Sequence, residues 1–386
     1  MKLPLEKIVT AFYLAIGFDS LLKLNLGIKI HLGLVLIILV NVLLLFRFSD
    51  RVLTCFKSDK NFYLFVIYCF LNGVMMGADG FSSIFLYLVI AANVSFFVFY
   101  THELWTRDLF LKFQWILIMT GLIQFLAYKL GGYQVSFIDA EHYMKGYSVT
   151  GRLRGFFVEP NWFAIAITFN SIILFGSKLQ QFYDDHKWVF ILTFLVMILN
   201  GTFATLGIFI LIYMYPVFRE SPPKAIIYTT LFAILLTSIL LFRGGLSHNS
   251  EVSFNHNSRF IPLERVIEYQ GEQDLATLWF GNGLGSWGQD AIYNRLSVLV
   301  FEENPSARDG SELPVLLFEL GVIGLLLIIF DTTQLIFRAG TKQFHLGGAV
   351  VLFVVCMTFY PIYKFLMYMP YYFYIRGLIL RKDEHI

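Results

Sequence analysis

Apolar segments long enough to cross a bilayer recur along this chain, and they restrict its fold more than any other feature. A helix needs about 20 largely apolar residues to span the hydrocarbon core, where its backbone polar groups must be satisfied internally. The chain has 386 residues, of which 57% are hydrophobic and 15% charged. The sequence therefore predicts an all-α polytopic membrane protein, with residues 1–386 forming a single integral membrane domain.

Hydropathy predicts about twelve transmembrane helices. Their predicted limits are 8–24, 29–46, 61–78, 82–100, 110–129, 161–177, 188–199, 202–218, 224–242, 313–336, 346–363 and 365–380. The first predicted span contains two charged residues, Asp19 and Lys23. The seventh is short and is separated from the eighth only by Asn-Gly-Thr. The amino-terminal pattern predicts an uncleaved membrane segment and no cleavable signal peptide.

Basic residues fall in alternate loops when twelve spans are assumed. Lys and Arg are enriched in the cytoplasmic loops of membrane proteins. More than half of the 29 basic residues lie on one predicted side: Lys2, Lys7, Arg47, Arg51, Lys57, Lys60, Arg107, Lys112, Lys178, Lys187, Arg219, Lys224, Arg338, Lys342, Arg376, Arg381 and Lys382. The distribution predicts that this side, with both termini, is cytoplasmic.

Two long polar loops, residues 130–160 and 243–312, are then predicted to face outward. The inner connections are too short for a soluble catalytic domain, and the chain has no G-x-x-x-x-G-K-[ST] phosphate-binding motif. Any chemistry is expected at the outer face, where nucleotide-activated donors are absent.

The large outer loop, 243–312, contains five arginines and no lysine. Arginine is a planar fork that binds phosphate oxygens bidentately and stays charged when partly desolvated. This composition favours a diphosphate ligand, and the alternative is pairing with the loop's own carboxylates. A short amphipathic helix is predicted near 259–270, with Val266 and Ile267 against the bilayer surface. The glycine-rich "FGNGLGSWG" that follows predicts a tight turn close to a ligand.

The first outer loop ends in "GRLRGFFVEPNWFAIAI", residues 151–167. Pro160 is predicted in the first turn of a helix, and Glu159 is favourable at the positive helix end. Ordinary capping is therefore an alternative to any chemical role of Glu159. Arg152 and Arg154 lie just outside the membrane, where snorkelling or headgroup binding is the alternative to a catalytic role.

Neither a disulfide framework nor a metal site is predicted. Cys55, Cys69 and Cys356 lie in or beside apolar segments and show no C-x-x-C spacing, so buried free thiols are expected. The basic residues are spread among loops, and no nucleic-acid partner is predicted.

Three motifs together resemble the O-antigen polymerase and O-antigen ligase superfamily of bacterial envelope glycosyltransferases. "RLRGFFVEPNWFA" is similar to its R-x-x-G-x-F-x-x-P-N pattern at the start of a mid-chain span. "NSRF" followed by "FGNGLGS" lies in one large late outer loop, and "LLFELGVIGLLLIIF" is similar to the E-x-G-x-x-G of the next span. The order of spans and loops matches over most of the chain.

The resemblance implies a glycosyltransferase of the bacterial inner membrane with its active site facing the periplasm. Members act on sugars linked to undecaprenyl diphosphate: an acceptor hydroxyl attacks the anomeric carbon, and lipid diphosphate leaves. No cofactor or metal is implied, and the expected partners are the lipid-linked oligosaccharide, membrane lipid, a flippase and a chain-length regulator. A polymerase that joins repeat units of O-antigen or capsule is the leading expectation.

The resemblance also implies site residues. Arg152 or Arg154 matches the first-loop arginine, Arg259 matches the large-loop arginine, and Arg265 is the reserve. Ligases carry a histidine before the E-x-G segment, whereas this chain has Asp309 and Glu312 there. The full predicted set is Arg152, Arg154, Arg259, Asp309 and Glu312 for catalysis, and Glu159, Asn161, Arg265 and Trp287 for substrate binding.

Two other functions stay open. A ligase would transfer finished polymer to lipid A-core, although the missing histidine counts against it. A polysaccharide flippase or other secondary transporter belongs to a different class. Transporters of this size usually show internal repeats and charged residues within spans, and the sequence shows no repeat.

Overall fold

A computed structural model describes residues 2–17, 23–25, 29–47, 49–77, 81–131, 153–157, 159–221, 223, 261–296, 312–359 and 368–381. The first half of the chain forms eight helices and one hairpin in this part of the structure. They are α1 (Lys2–Gly17), β1 (Lys23–Asn25), β2 (Lys29–His31), α2 (Leu32–Arg47), α3 (Ser49–Ser58), α4 (Lys60–Met76), α5 (Phe81–Thr101), α6 (Arg107–Gly131), α7 (Pro160–Phe175) and α8 (Leu179–Asp185), with a 3₁₀ turn at His102–Leu104 between α5 and α6.

The described part of the second half is helical. Its helices are α9 (Lys187–Asn200), α10 (Phe203–Glu220), α11 (Ile261–Glu272), α12 (Leu275–Phe280), α13 (Trp287–Tyr293), α14 (Glu312–Ala339), α15 (Phe344–Phe359) and α16 (Met369–Leu380). The predicted ninth span, 224–242, lies outside the described residues.

The first predicted span, 8–24, is wrong at both ends. The helix begins at Lys2 and ends at Gly17, and Lys23 belongs to a strand that pairs antiparallel with Lys29–His31. Glycine is a poor residue for continuing a helix, and the backbone of Lys23 is instead paired with His31 in the hairpin. The second predicted span loses its first residues to the same hairpin.

The structure is that of a helical membrane protein. Three helices among the described residues are long and apolar enough to cross a bilayer: Ile84–Leu104, Arg107–Gly131 and Glu312–Ala339. The pair Pro160–Phe175 and Leu179–Asp185, bent by 94°, is a fourth candidate if it is counted as one broken span. Shorter apolar helices are Val35–Phe46, Lys60–Met76, Lys187–Asn200 and Phe344–Met357.

Contacts between distant helices define two ends of the bundle. Asp59, at the start of α4, bonds to Arg376 near the end of α16. Asn72 lies thirteen residues further along α4, about 20 Å away at the helical rise, and contacts Phe280. We call the end with Asp59 and Arg376 the basic end, and the end with Asn72 the motif end.

Helix α6 connects the same two ends. The Tyr374 hydroxyl donates to the carbonyl of Trp105, just before α6 begins, at 3.2 Å. Gln124 lies about 25 Å further along α6 and bonds to Gly155. The segment that contains the "RLRGFF" motif is therefore at the motif end.

Buried polar side chains connect helices inside the bundle. Gln114 donates to Ser171 at 3.0 Å and to Thr193 at 2.8 Å, and accepts from Asn170 at 2.7 Å. Asn170 also accepts from the Tyr13 hydroxyl at 2.5 Å. A buried polar group that water cannot reach is costly unless it bonds to another protein group. This network therefore helps to position α1, α6, α7 and α9.

Arg376 forms a buried charge cluster at the basic end, with 1% of its surface exposed. Its Nε donates to Asp59 Oδ2 at 3.0 Å, and its guanidinium also bonds to Asp331 Oδ1 at 2.9 Å. The Tyr372 hydroxyl accepts a further bond at 2.7 Å. One arginine thereby joins α4, α14 and α16 and compensates two buried carboxylates.

Candidate functional site

The backbone of Leu153–Phe157 is held at the motif end by an amide side chain of α6. Arg154 N and Gly155 N donate to Gln124 Oε1 at 3.0 and 2.8 Å, and Gln124 Nε2 donates to Gly155 O at 3.3 Å. Gln124 is buried. This bonding imitates strand pairing and fixes the backbone on either side of the Arg154 side chain.

A second amide, Asn200, holds the same segment from the end of α9. Its Nδ2 donates to Leu153 O at 2.5 Å and to Pro160 O at 2.9 Å. Asn200 is fully buried. The "RLRGFF" segment is thus held by two buried amides, Gln124 of α6 and Asn200 of α9.

Gly155 is required where the segment turns. Its φ is +53°, and a Cβ there would lie 3.0 Å from the Phe163 ring and from Thr120 Oγ1. Any larger residue would meet both strain and crowding. The glycine of the "RLRGFF" motif thus permits the close approach that fixes Arg154.

Arg154 itself is half-buried at the motif end. Burial lowers the pKa of the Arg154 guanidinium below its usual value. Arginine remains charged under these conditions, so the motif end presents a partly desolvated cation on a backbone that is held in place. Such a cation interacts more strongly with an anion than one in open water.

The predicted start of α7 is confirmed. The helix begins at Pro160, and Glu159 is its N-cap residue in an extended conformation. The Glu159 side chain makes no capping hydrogen bond to the first turn. Glu159 therefore occupies the capping position, as the alternative predicted, but its side chain does not cap the helix. Asn161 Oδ1 accepts from Thr202 Oγ1 at 3.2 Å, which connects the starts of α7 and α10.

The glycine-rich segment 280–286 packs into a break in α14. Gly321 has φ 63° and ψ −165° inside that helix, so the ladder of hydrogen bonds is interrupted. Phe318 O accepts from Asn282 N at 2.9 Å, and Glu319 O accepts from Gly283 N at 3.0 Å. Irregular backbone within a membrane protein is tolerated only where protein or water satisfies it, and segment 280–286 does so here.

Helix α4 completes this arrangement. The Tyr68 hydroxyl donates to Leu320 O at 2.7 Å, which gives the third carbonyl at the break a partner. Asn72 Nδ2 donates to Phe280 O at 2.6 Å, and Asn72 Oδ1 accepts from Leu284 N at 2.8 Å. Two motifs that are far apart in sequence, "FGNGLGS" and "FELG", are thus in direct contact.

Trp287 lies beside the break and is 2% exposed. Its ring packs edge-on against Phe318 with centroids 5.5 Å apart, and its backbone N–H donates to Glu319 Oε1 at 3.3 Å. Trp287 therefore packs in the protein interior in this structure. Its role in substrate binding stays a prediction.

Helix α11 occupies Ile261–Glu272 and overlaps most of the predicted amphipathic segment, 259–270. The prediction that Val266 rests on the bilayer surface is wrong, because Val266 is fully buried against Trp287 and Phe318. Ile267 is exposed. Arg265 is exposed and donates to Arg295 O at 2.7 Å.

The structure leaves the predicted catalytic residues divided. Glu312 is fully buried at the start of α14, and Arg154 lies in the fixed segment described above. Arg152, Arg259 and Asp309 lie outside the described residues. No group of three or more His, Cys, Asp or Glu residues suited to a metal occurs in the described part of the chain. Its three cysteines are free and buried, as expected.

Sequence reasoning missed the residues that position the two motifs. Gln124, Asn200 and Asn72 hold backbone segments, and Glu319 lies at the break in α14. Each is a polar residue in or at the end of an otherwise apolar helix, which was the available signal. The partners described above are 30 to 212 residues away in the chain, so the signal could not identify them.

The sequence matches no protein-family model and no curated protein. The likeness to envelope glycosyltransferases is therefore based on the three motifs and on the order of spans and loops.

Replacing Gln124 with leucine is expected to release the backbone of Arg154 and Gly155. Two buried N–H groups would lose their acceptor, at about 1–3 kcal/mol, so amide exchange in this segment should accelerate about 10- to 100-fold. Hydrogen–deuterium exchange of the peptide over 153–157 measures this. Gln180→Leu is the matched control, because Gln180 is exposed and its side chain bonds to Asp184 one turn further along α8. Unchanged exchange in Gln124→Leu would contradict the assigned role.

Proposed function

We propose that this protein is a bacterial envelope polysaccharide polymerase that joins oligosaccharide repeat units linked to undecaprenyl diphosphate. The observation that supports it most is the half-buried Arg154, whose backbone is held by Gln124. A departing diphosphate needs preorganised positive charge, and donors that do not have to reorganise are the effective ones.

The proposal includes a topology of about twelve spans in the bacterial inner membrane. The basic end, with Arg338 and Arg376, would face the cytoplasm by the positive-inside rule. The motif end, with Arg154 and Asn72, would face the periplasm, where lipid-linked oligosaccharides are presented. The active site is assigned to that end.

The proposed reaction is an inverting glycosyl transfer. The hydroxyl oxygen of the acceptor sugar bonds to the anomeric carbon of the donor as the bond from that carbon to the diphosphate oxygen breaks. Arg154, with Arg152 and Arg259, would stabilise the charge on the leaving lipid diphosphate. Asp309 or Glu312 would accept the hydroxyl proton, and the sum of the atoms is one longer chain and one lipid diphosphate.

Substituting Arg154 with alanine is expected to reduce polymer formation by about 100- to 1000-fold, as for loss of one preorganised donor. The measurement is the ladder formed on a gel when the purified protein in lipid is given undecaprenyl-diphosphate-linked repeat units. Arg154→Lys should recover part of the rate, since it keeps the charge and loses the fork. Arg219→Ala, which removes an arginine from the last turn of α10, is the control and should leave the ladder intact.

The same assay separates polymerase from ligase. A ladder of products on the lipid carrier supports the polymerase. Transfer of preformed polymer to added lipid A-core, with no elongation, would instead establish the ligase. A ladder of wild-type intensity from Arg154→Ala would remove Arg154 from the proposed site.

A secondary transporter is the second candidate, and the broken helix α14 is the observation that favours it. Transporters commonly use discontinuous helices at their substrate sites, and Gly321 interrupts α14. Proteoliposomes loaded with fluorescent lipid-linked oligosaccharide test this. Movement of the label across the bilayer without a new glycosidic bond would replace the polymerase proposal.

A further inference from the structure

An open cavity of about 260 Å³ lies at the basic end, opposite the motif end. It lies between the α3–α4 connection, the last turns of α14 and the end of α16. Its lining residues are Lys57, Ser58, Asp59, Lys60, Asn61, Asp331, Gln334, Leu335, Arg338, Arg376 and Leu380. A cavity of this volume has room for a phosphate group and the polar atoms attached to it.

The floor of the cavity is the buried charge cluster. Arg376 bonds to both Asp59 and Asp331, so the two carboxylates are already engaged by an arginine. A guanidinium bonded in this way is rigid, because two carboxylates and the Tyr372 hydroxyl fix its plane. The floor is therefore a built surface with one net negative charge.

The rim of the cavity is cationic. Lys57, Lys60 and Arg338 are exposed, and none of them pairs with a carboxylate among the described residues. Four cations and two carboxylates line the cavity in all, which leaves two positive charges uncompensated. Repulsion between the rim cations would be relieved by a bound anion.

Polar and apolar groups are arranged on the α14 side of this rim. Asn61 Nδ2 donates to Gln334 Oε1, which connects α4 to α14 at the cavity. The apolar side chains of Leu326, Phe330 and Phe337 are exposed along α14 on either side of Gln334, with Phe337 80% exposed. They are spaced by four and seven residues, as expected for one helix face. A phosphate in the cavity would thus have an apolar surface beside it.

We infer that this cavity binds the phosphate headgroup of an anionic membrane lipid, whose acyl chains lie along the exposed apolar face of α14. The cations of the rim would attract a lipid phosphate and a soluble phosphate alike. The exposed apolar face of α14 favours the lipid, because only a lipid has acyl chains to cover it. Basic pockets between membrane helices bind anionic headgroups in this way. The site lies at the end of the bundle opposite Arg154, so the inference does not depend on the proposed glycosyl transfer.

Native mass spectrometry of the purified full chain tests the inference, with phosphatidylglycerol and phosphatidylcholine of identical acyl chains as probes. The wild type is expected to retain phosphatidylglycerol in preference. The variant Lys57→Gln with Lys60→Gln should weaken that binding about 25-fold, at about 5-fold for each basic residue. Arg338→Gln should weaken it about 5-fold. These three side chains are exposed, so thermal unfolding in phosphatidylcholine alone should be unchanged.

A charge-matched control separates a site from general attraction. Lys187→Gln with Arg219→Gln removes two cations near helix ends outside the cavity, and it should retain the preference for phosphatidylglycerol. Equal losses in the cavity and control variants would overturn the site, as would equal binding of the two lipids by the wild type. Displacement of phosphatidylglycerol by excess inorganic phosphate would overturn the lipid assignment in favour of a soluble anion.

Discussion

Alanine at Gly281 or Gly321 is expected to destabilise the fold by about 2–6 kcal/mol. Both residues have a backbone conformation that is essentially restricted to glycine. Forcing another residue into it costs about 1–3 kcal/mol. A Cβ on Gly281 would lie 2.5 Å from Gly321 N, and one on Gly321 would lie 2.5 Å from Gly281 N. Overpacking of this kind adds about 1–3 kcal/mol.

The free energy of unfolding, from denaturant titration in micelles, measures this effect. Two glycines provide controls. Gly207 is inside α10, and the methyl group of an alanine there would have no neighbouring atom within 4 Å, so Gly207→Ala should be neutral or stabilise by up to about 1 kcal/mol. Gly77 ends α4 in the left-handed conformation with open space around it, so Gly77→Ala should cost about 1–2 kcal/mol. If Gly281→Ala and Gly321→Ala cost no more than Gly77→Ala, segment 280–286 does not pack into the break as described.

Removing the guanidinium of Arg376 is expected to cost about 3–5 kcal/mol. The substitution Arg376→Ala would leave Asp59 and Asp331 buried without their cation, and breaking a buried ion pair at one partner has this magnitude. The same titration measures the loss. Lys112→Ala is the control, because its ion pair with Asp108 is exposed and such pairs contribute about 0–1 kcal/mol.

A compensated variant tests the reason for that loss. If uncompensated charge is the cause, Arg376→Met combined with Asp59→Leu and Asp331→Leu should recover much of the stability, since replacing a whole buried ionic cluster with apolar residues of similar volume is often nearly neutral. A triple variant as unstable as Arg376→Ala would show that packing of the arginine, and not its charge, is the larger contribution. The cluster also forms the floor of the cavity. Lipid binding by the triple variant would therefore show how much the floor contributes when the cations of the rim are unchanged.

The contact between segment 280–286 and the break in α14 gives a physical meaning to two of the three motifs. The positive-φ turn at Gly281 and Gly283 lets the N–H groups of Asn282 and Gly283 reach the carbonyls of α14, and Gly321 opens the helix to receive them. The third motif uses a similar device, in which Gly155 lets the backbone beside Arg154 approach Thr120 and Phe163. In all three, glycine permits backbone to pack closely at the motif end.

Local patterns in the sequence were enough for several features. The apolar runs predicted helices, and the "EPN" of residues 159–161 predicted a helix with Pro160 at or near its first turn, which the structure confirms. The amphipathic pattern near 259–270 predicted α11. These features depend on periodicity, proline geometry and helix-end electrostatics, all of which act within a few residues.

The same patterns did not reveal which face of α11 is covered. Val266 and Ile267 are adjacent apolar residues that the sequence treats alike, yet Val266 packs against Phe318 and Ile267 is exposed. Apolarity shows that a side chain avoids water, and both lipid and protein satisfy that requirement. Only the position of α14 decides between them.

By itself, the sequence determined that this chain is a helical membrane protein, where many of its helices lie and which polar residues stand out from their apolar surroundings. Tertiary structure decided the break at Gly321 and the partners of Arg376, which lie 317 and 45 residues away in the chain. Hydropathy is a local property, whereas a buried hydrogen bond depends on which distant group is available. A buried polar group therefore predicts that a partner exists, and only the folded bundle identifies it.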